Sequence, residues 1–191
     1  MLRLFSIIFL IPCLIGIIYH YLSITIPDFN YQVCHDNSPL NLLPFFSSTL
    51  CPIEQETLLV LKPDGVIHRP MVMQQLKQDH GFRIVKTKTT NMTPQMVDQW
   101  YHELRSKDFY PELQRYLTRG PCYAVILKRI NAIGHLRYLV GPTDPAKARI
   151  EAPWSIRSQI GSSIQENGIH ASDSIEAFYR EKAILFDDND K

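Results

Sequence analysis

The stretch ENGIHASDS, residues 166 to 174, sets a single histidine among small and polar residues that have little to offer a core. A neutral imidazole near physiological pH keeps a free lone pair on one ring nitrogen, so His170 is the side chain of this stretch from which chemistry can be asked. His20, His35, His68, His80, His102 and His135 have no comparable setting and read as ordinary surface or core residues. Three cations stand at the ends of predicted elements: Lys62 after an apolar run, Arg137 shortly before Gly141, and Arg157 within APWSIRSQIG. The chain contains neither G-x-x-x-x-G-K-[ST] nor G-x-G-x-x-G, so a phosphate bound here must be held by side-chain cations and not by a glycine-rich loop. Cys34 and His35 are adjacent but lack a second pair at ligand spacing, and no CxxC occurs, which argues against a zinc site.

Positioning such groups requires an alternating set of elements. TLLVLK (57–62) is a short β-rich run stopped by Pro63, FRIVKTKTT (82–90) alternates as a half-buried strand does, and PCYAVILKR (121–129) forms a third strand. Between the first two, RPMVMQQLKQDHG places Met71, Met73 and Leu76 on one helical face and closes on Gly81. TPQMVDQWYHELRS begins with Thr93 as N-cap and Pro94 at the first helical position, with Met96, Val97 and Trp100 on its apolar side. NAIGHLRYLVG (131–141) is a helix ended by Gly141, the segment from Pro142 to about Gly161 is a long loop, and SIEAFYREKAILF (174–186) is the last helix. His170 falls on a last short strand or the turn after it. This order predicts an α+β fold, a split βαβ sandwich with helices on one side of a four-stranded, mainly antiparallel sheet.

A chain of 191 residues with 45% hydrophobic content and a formal charge of +1 is one ordinary domain with something attached. Its basic residues are scattered and its aromatics sit at helix and strand positions, which excludes a nucleic-acid platform. The attachment is the first 26 residues, where Arg3 precedes an apolar run from Leu4 to about Leu22 that is long enough to span a bilayer. No clear small-residue cleavage site follows, so an uncleaved apolar anchor helix is favoured over a cleaved signal peptide. Positive charge before the run and none after it until Lys62 places the amino terminus in the cytoplasm and the remainder in a lumen of the secretory pathway, with a mitochondrial membrane as the alternative. Residues 27–54, rich in Pro, Asn and Ser, read as a linker or stalk, residues 55–186 as the domain, and residues 187–191 as an acidic tail. Cys34 and Cys51 either pair in an oxidising lumen or remain two free thiols. Asn91-Met92-Thr93 is a glycosylation sequon in such a compartment.

ETLLVLKPDGV, RGP, GPTDPAKA, SIR and above all NGIHASDS resemble the nucleoside diphosphate kinase family, in order and at nearly family spacing, over residues 56–186. The resemblance implies a ferredoxin-like βαββαβ core and transfer of the γ-phosphate of a nucleoside triphosphate to a nucleoside diphosphate by a ping-pong route. By matching position, His170 is the nucleophile, Glu181 the carboxylate that orients its second ring nitrogen, and Ser172 a member of the same network. Lys62, Arg137, Thr143, Arg157 and Asn167 match positions that hold phosphates and ribose, Tyr101 matches a tyrosine near the histidine, and Phe109 and Ile164 sandwich the base. A magnesium ion comes with the nucleotide, and Asp173 either reaches it through a water or caps the last helix. The resemblance further implies a homo-oligomer. The chain departs from the common active members in two places: the interval from Thr143 to Arg157 is three residues longer, as in a divergent branch, and Glu166 stands where a basic residue is usual. A weakly catalytic nucleotide-binding or scaffold protein, and a histidine phospho-donor to another protein, are the alternative functions.

Overall fold

Every residue from Thr57 to Leu61 is fully buried, which is the signature of a strand covered on both faces and explains why TLLVL is continuously apolar instead of alternating. The structure, a computed structural model, describes residues 31–35 and 48–186, with side chains from 53 to 186. Two units are distinguished, Met1–Ile53 and Glu54–Lys191. In the first, β1 (Tyr31–His35) pairs antiparallel with β2 (Ser48–Pro52), so the stretch read as a stalk carries a two-stranded ladder. Cys34 lies opposite Thr49 and Cys51 opposite Gln32 in that register, while their side chains lie outside the described residues. The predicted anchor helix and the acidic tail lie outside the described residues as well. Among the described residues no helix is long and apolar enough to cross a membrane.

The second unit is built on a four-stranded sheet in the order β4 (Arg83–Thr90), β5 (Cys122–Ile130), β3 (Glu54–Leu61), β6 (Ile169–Ala171), with every neighbouring pair antiparallel. Side chains alternate across a strand, and β3 sorts its residues accordingly. Leu58 and Val60 join one core with Val97 and Trp100 of α2 (Pro94–Trp100), Leu113 and Leu117 of α3 (Tyr110–Thr118), and Phe178 and Leu185 of α7 (Ile175–Leu185). Leu59 and Leu61 join a second core with Val72 of α1 (Arg69–Gln74), Leu136 of α4 (Ala132–Val140) and Ile156 of α6 (Ile156–Ile160). Helices therefore cover both faces of the sheet, a correction to the one-sided sandwich expected from element order. A large-to-small change at Leu58 or Leu61 would cost about 2–5 kcal/mol, since either side leaves a closed void.

The local signals hold at most helix ends. Thr93 Oγ1 accepts from Met96 N at 3.2 Å with Pro94 following it, and Ser174 Oγ accepts from Ala177 N at 3.0 Å. Gly141 ends α4 at φ +78°, where a Cβ would also meet Ser155 Cβ at 2.5 Å, so both backbone and space demand glycine. Three expectations change. Val72 and Leu76, not Met71, form the buried face of α1 and of the π turn (Gln75–Asp79) that extends it, Met71 being exposed. A further helix, α3, precedes the third strand, and the long loop after Gly141 folds into two short helices, α5 (Pro145–Glu151) and α6.

Candidate active site

His170 sits at the centre of β6, opposite Val60 of β3, and its strand neighbours Ile169 and Ala171 pack into the second core. Alternation then turns the imidazole to the other face, toward α2 and α7. The ring meets the indole of Trp100 edge-on, with centroids 4.9 Å apart and planes at 86°. Its Nε2 lies 2.9 Å from Oε1 of Glu181 on α7. That distance is an ion-pair distance, but the nitrogen misses the hydrogen-bond direction and remains a shielded atom without a hydrogen-bond partner among the described residues. Glu181 is otherwise well held: Ser172 Oγ donates to Oε2 at 2.5 Å and Trp100 Nε1 donates to Oε1 at 3.1 Å. Burial alone pushes its carboxyl upward, yet the adjacent His170 and the Ser172 and Trp100 donors outweigh it and hold the group below the usual carboxylate range. With Nε2 turned to the carboxylate, Nδ1 is the ring nitrogen left for chemistry.

Beside the histidine lies a buried cationic floor. Lys62, one residue past β3, donates from Nζ to Asn167 Oδ1 at 2.9 Å. Arg157, on the first turn of α6, donates from one terminal nitrogen to the carbonyls of Asn167 at 3.1 Å and Ile169 at 2.7 Å, while its buried Nε has no hydrogen-bond partner among the described residues. Desolvation, reinforced by the neighbouring Arg157, pushes Lys62 down to about 8; desolvation likewise brings Arg157 down to about 10. Two cations held this way, one with an unanswered donor, form a site that gains from an anion. The loop after Lys62 and the loop before His170 touch through glycines: a Cβ on Gly65 would fall 2.0 Å from the carbonyl oxygen of Gly168. Lys62 N donates to that same oxygen at 2.9 Å, so the KPDG turn and the histidine strand are locked together.

These groups open onto a cleft of about 530 Å³. Lys62, Arg137, Thr143, Arg157 and Asn167 line it with His170, Tyr101 and Asp173, and Phe109 and Ile164 line its exposed mouth. The structure thus brings together each of the residues singled out from sequence, with Ser172 and Glu181 buried behind the histidine. Ser174, not Asp173, caps α7, which leaves the Asp173 side chain for the cleft. Tyr101 stacks on Trp100 with centroids 5.2 Å apart, and burial, followed by the nearby Glu181 charge, raises its phenol well above the ordinary value. At the mouth, Gln165 Nε2 donates to Glu112 Oε2 at 3.2 Å and Arg119 pairs with Glu166, tying the Ile164 loop to α3 and the residue just past it. The unusual Glu166 therefore has its partner in the chain. Trp100 is the functional contact that sequence reasoning missed, since an apolar residue at helical spacing signals a core. Among the described residues no three His, Cys, Asp or Glu side chains cluster as a metal site.

Comparison with known proteins agrees with this geometry. Residues 55–191 match the family model described as "Nucleoside diphosphate kinase". The chain is 37% identical over 130 residues to "Probable nucleoside diphosphate kinase 5" of Arabidopsis thaliana, covering 68% of this chain and 90% of that protein. It is 38% identical over 138 residues to the "Nucleoside diphosphate kinase" of Thermoplasma acidophilum, covering 71% and 90%. It also matches "Thioredoxin domain-containing protein 6" of Xenopus laevis at 36% over 140 residues, of which it spans only 22%. Among solved structures, the Aquifex aeolicus nucleoside diphosphate kinase superposes with a TM-score of 0.66 at 34% identity, covering 69% of this chain and 94% of that one. The Halobacterium salinarum enzyme in complex with CDP gives 0.65 at 30% identity, covering 71% and 90%.

Proposed function

The chain belongs to the nucleoside diphosphate kinase family, and on that premise we propose that it transfers the γ-phosphate of a nucleoside triphosphate such as ATP to a nucleoside diphosphate through phospho-His170. The observation that carries this reading is the setting of His170: Nε2 lies 2.9 Å from Glu181, and the ring lines the same cleft as Lys62 and Arg157, which leaves Nδ1 as the nitrogen to take the phosphoryl group. The γ-phosphorus bonds to Nδ1 as its bond to the bridging oxygen breaks, and the diphosphate leaves with the electron pair. A second diphosphate takes the phosphoryl group back along the same line. Little covalent work falls to the protein in such a transfer beyond alignment and charge neutralisation, and Lys62, Arg137, Arg157, Thr143 and Asn167 provide it.

Phe109 and Ile164 hold the base at the mouth by stacking and apolar contact, which discriminates weakly among bases. One carboxylate, Asp173, is the protein's contribution near the phosphates, a donor set that suits a magnesium ion held mostly by phosphate oxygens and water. Bound there, the ion would neutralise phosphate charge. Assembly into a homo-oligomer and attachment of the domain to a membrane through residues 1–26, on the lumenal side, belong to the same proposal.

The Lys62–Asn167–Arg157 floor lines the same cleft as His170, so a phosphate held there would lie near a nucleophile, and this favours turnover over a scaffold role. A coupled assay on the purified full-length chain with ATP and a nucleoside diphosphate tests this. Turnover is expected; tight nucleotide binding without turnover would establish the scaffold reading instead.

A further inference from the structure

Trp100 takes no part in the reaction as described, yet it touches both members of the pair that performs it. Its Nε1 donates to Oε1 of Glu181 at 3.1 Å, and this is the same oxygen that His170 Nε2 approaches to 2.9 Å. The indole holds the better direction, since the imidazole nitrogen is the one left without a hydrogen bond. Ser172 occupies the other carboxylate oxygen. Trp100 is 4% exposed and packs edge-on against His170, so neither group has water as an easy substitute. A phenylalanine would keep an aromatic ring in the cluster that holds Val97 and Phe178. The N–H is the part that packing does not explain.

We propose that Trp100 is a positioning residue for phosphoryl transfer, one that holds Oε1 of Glu181 in the resting protein and yields that oxygen to His170 Nε2 when the ring is phosphorylated. The inference rests on the kinase reading above. When Nδ1 bonds to the γ-phosphorus and the nucleoside diphosphate leaves with the bridging oxygen's electron pair, the proton on Nε2 stays and the ring acquires positive charge. A charged N–H donor is stronger than a neutral indole N–H, so His170 Nε2 draws Oε1 toward itself and weakens the indole's hold on it, a shift that reverses when the phosphoryl group departs. The indole then senses the phosphorylation state of a ring 4.9 Å away.

Two tryptophans are present, and Trp154 is exposed outside the cleft, so Trp154→Phe leaves Trp100 as the single indole. In that full-length protein, solubilised in detergent, ATP with magnesium should shift the Trp100 emission as phosphoenzyme accumulates. Excess nucleoside diphosphate should reverse the shift, and neither a non-hydrolysable ATP analogue nor His170→Asn should reproduce it. Trp100→Phe should lower kcat about five- to tenfold with KM within twofold, and Trp100→His, which can again offer an N–H, should recover most of the loss. An emission unchanged while phosphoenzyme forms, or wild-type kcat in Trp100→Phe, would overturn the proposal. If Trp100→Phe fails to fold, the emission measurement still decides, because it keeps Trp100 in place. Absence of any phosphoenzyme in the unmodified protein would be a different failure, that of the kinase reading, and would remove this inference with it.

Discussion

At the floor of the cleft Lys62, Asn167 and Arg157 are at most 6% exposed and tied to one another or to fixed carbonyls, whereas at the mouth Phe109 and Ile164 are 45% and 63% exposed. The floor holds charge out of water before any ligand arrives, and the depressed Lys62 and Arg157 show the cost in the direction of their shifts. The mouth offers apolar faces on a loop fastened by exposed polar pairs, which individually contribute less than about 1 kcal/mol. Under the proposed function, precision is concentrated where every nucleoside triphosphate is alike. Adaptability lies where nucleotides differ.

Removing the nucleophile breaks the contrast most severely. His170→Asn should lower turnover by about three orders of magnitude or more, as expected for loss of a covalent nucleophile, while leaving nucleotide binding within a few fold. Steady-state kinetics and titration calorimetry on the same preparation separate the two quantities. Next in size, Arg157→Ala should reduce kcat/KM by about ten- to a thousandfold, because a charge-stabilising donor fixed in place disappears from the transition state. A loss below threefold would show that the floor is not preorganised in the way described.

Lys62 sharpens the comparison through pH. Its folded-state pKa, about 8, lies below the ordinary lysine value, so above pH 8 the unfolded chain carries more protons at this group than the folded one. Stability at this group therefore rises with pH between about 8 and the ordinary lysine value near 10.4, where the burial penalty on the charged form is relieved. Nucleotide binding has the opposite trend, since phosphate needs the charged form: affinity should fall above pH 8, and binding at pH 9 should take up protons. Calorimetry at pH 9 in two buffers of different ionisation enthalpy measures that uptake. At the mouth the effect is smallest. Phe109→Ala should raise KM about tenfold with kcat within threefold, similarly for purine and pyrimidine diphosphates, as for loss of a stacking face. A strong base-dependent loss would place specificity at Phe109 after all.

Much of this division was legible in the residues, though unevenly. His170 and the three cations declared themselves by type and setting, and the family resemblance supplied Glu181, Ser172 and the base-holding pair, which no periodicity would have marked. The continuous apolar runs of β3 and β5 were readable as strands, but their lack of alternation is also what should have signalled helices on both faces. The α3 segment carried a helical signal that went unused: Pro111 stands in its first turn, and Tyr110, Leu113, Tyr116 and Leu117 recur on one face while Glu112 and Arg115 fall on the other. α5 and α6, of 7 and 5 residues, are too short for helical periodicity to emerge from a loop. Trp100 stayed hidden for a different reason: its apolar body satisfies a core pattern, and only the three-dimensional placement of Glu181 gives its N–H a partner.

The most direct test of the account is to incubate the full-length chain with γ-labelled ATP and magnesium, then follow the label on the protein. The account predicts rapid formation of a single labelled species that is acid-labile and stable to alkali, is discharged by any added nucleoside diphosphate, and is absent in His170→Asn. Label that never appears on the protein while ATP is bound, or that appears equally in His170→Asn, would contradict it.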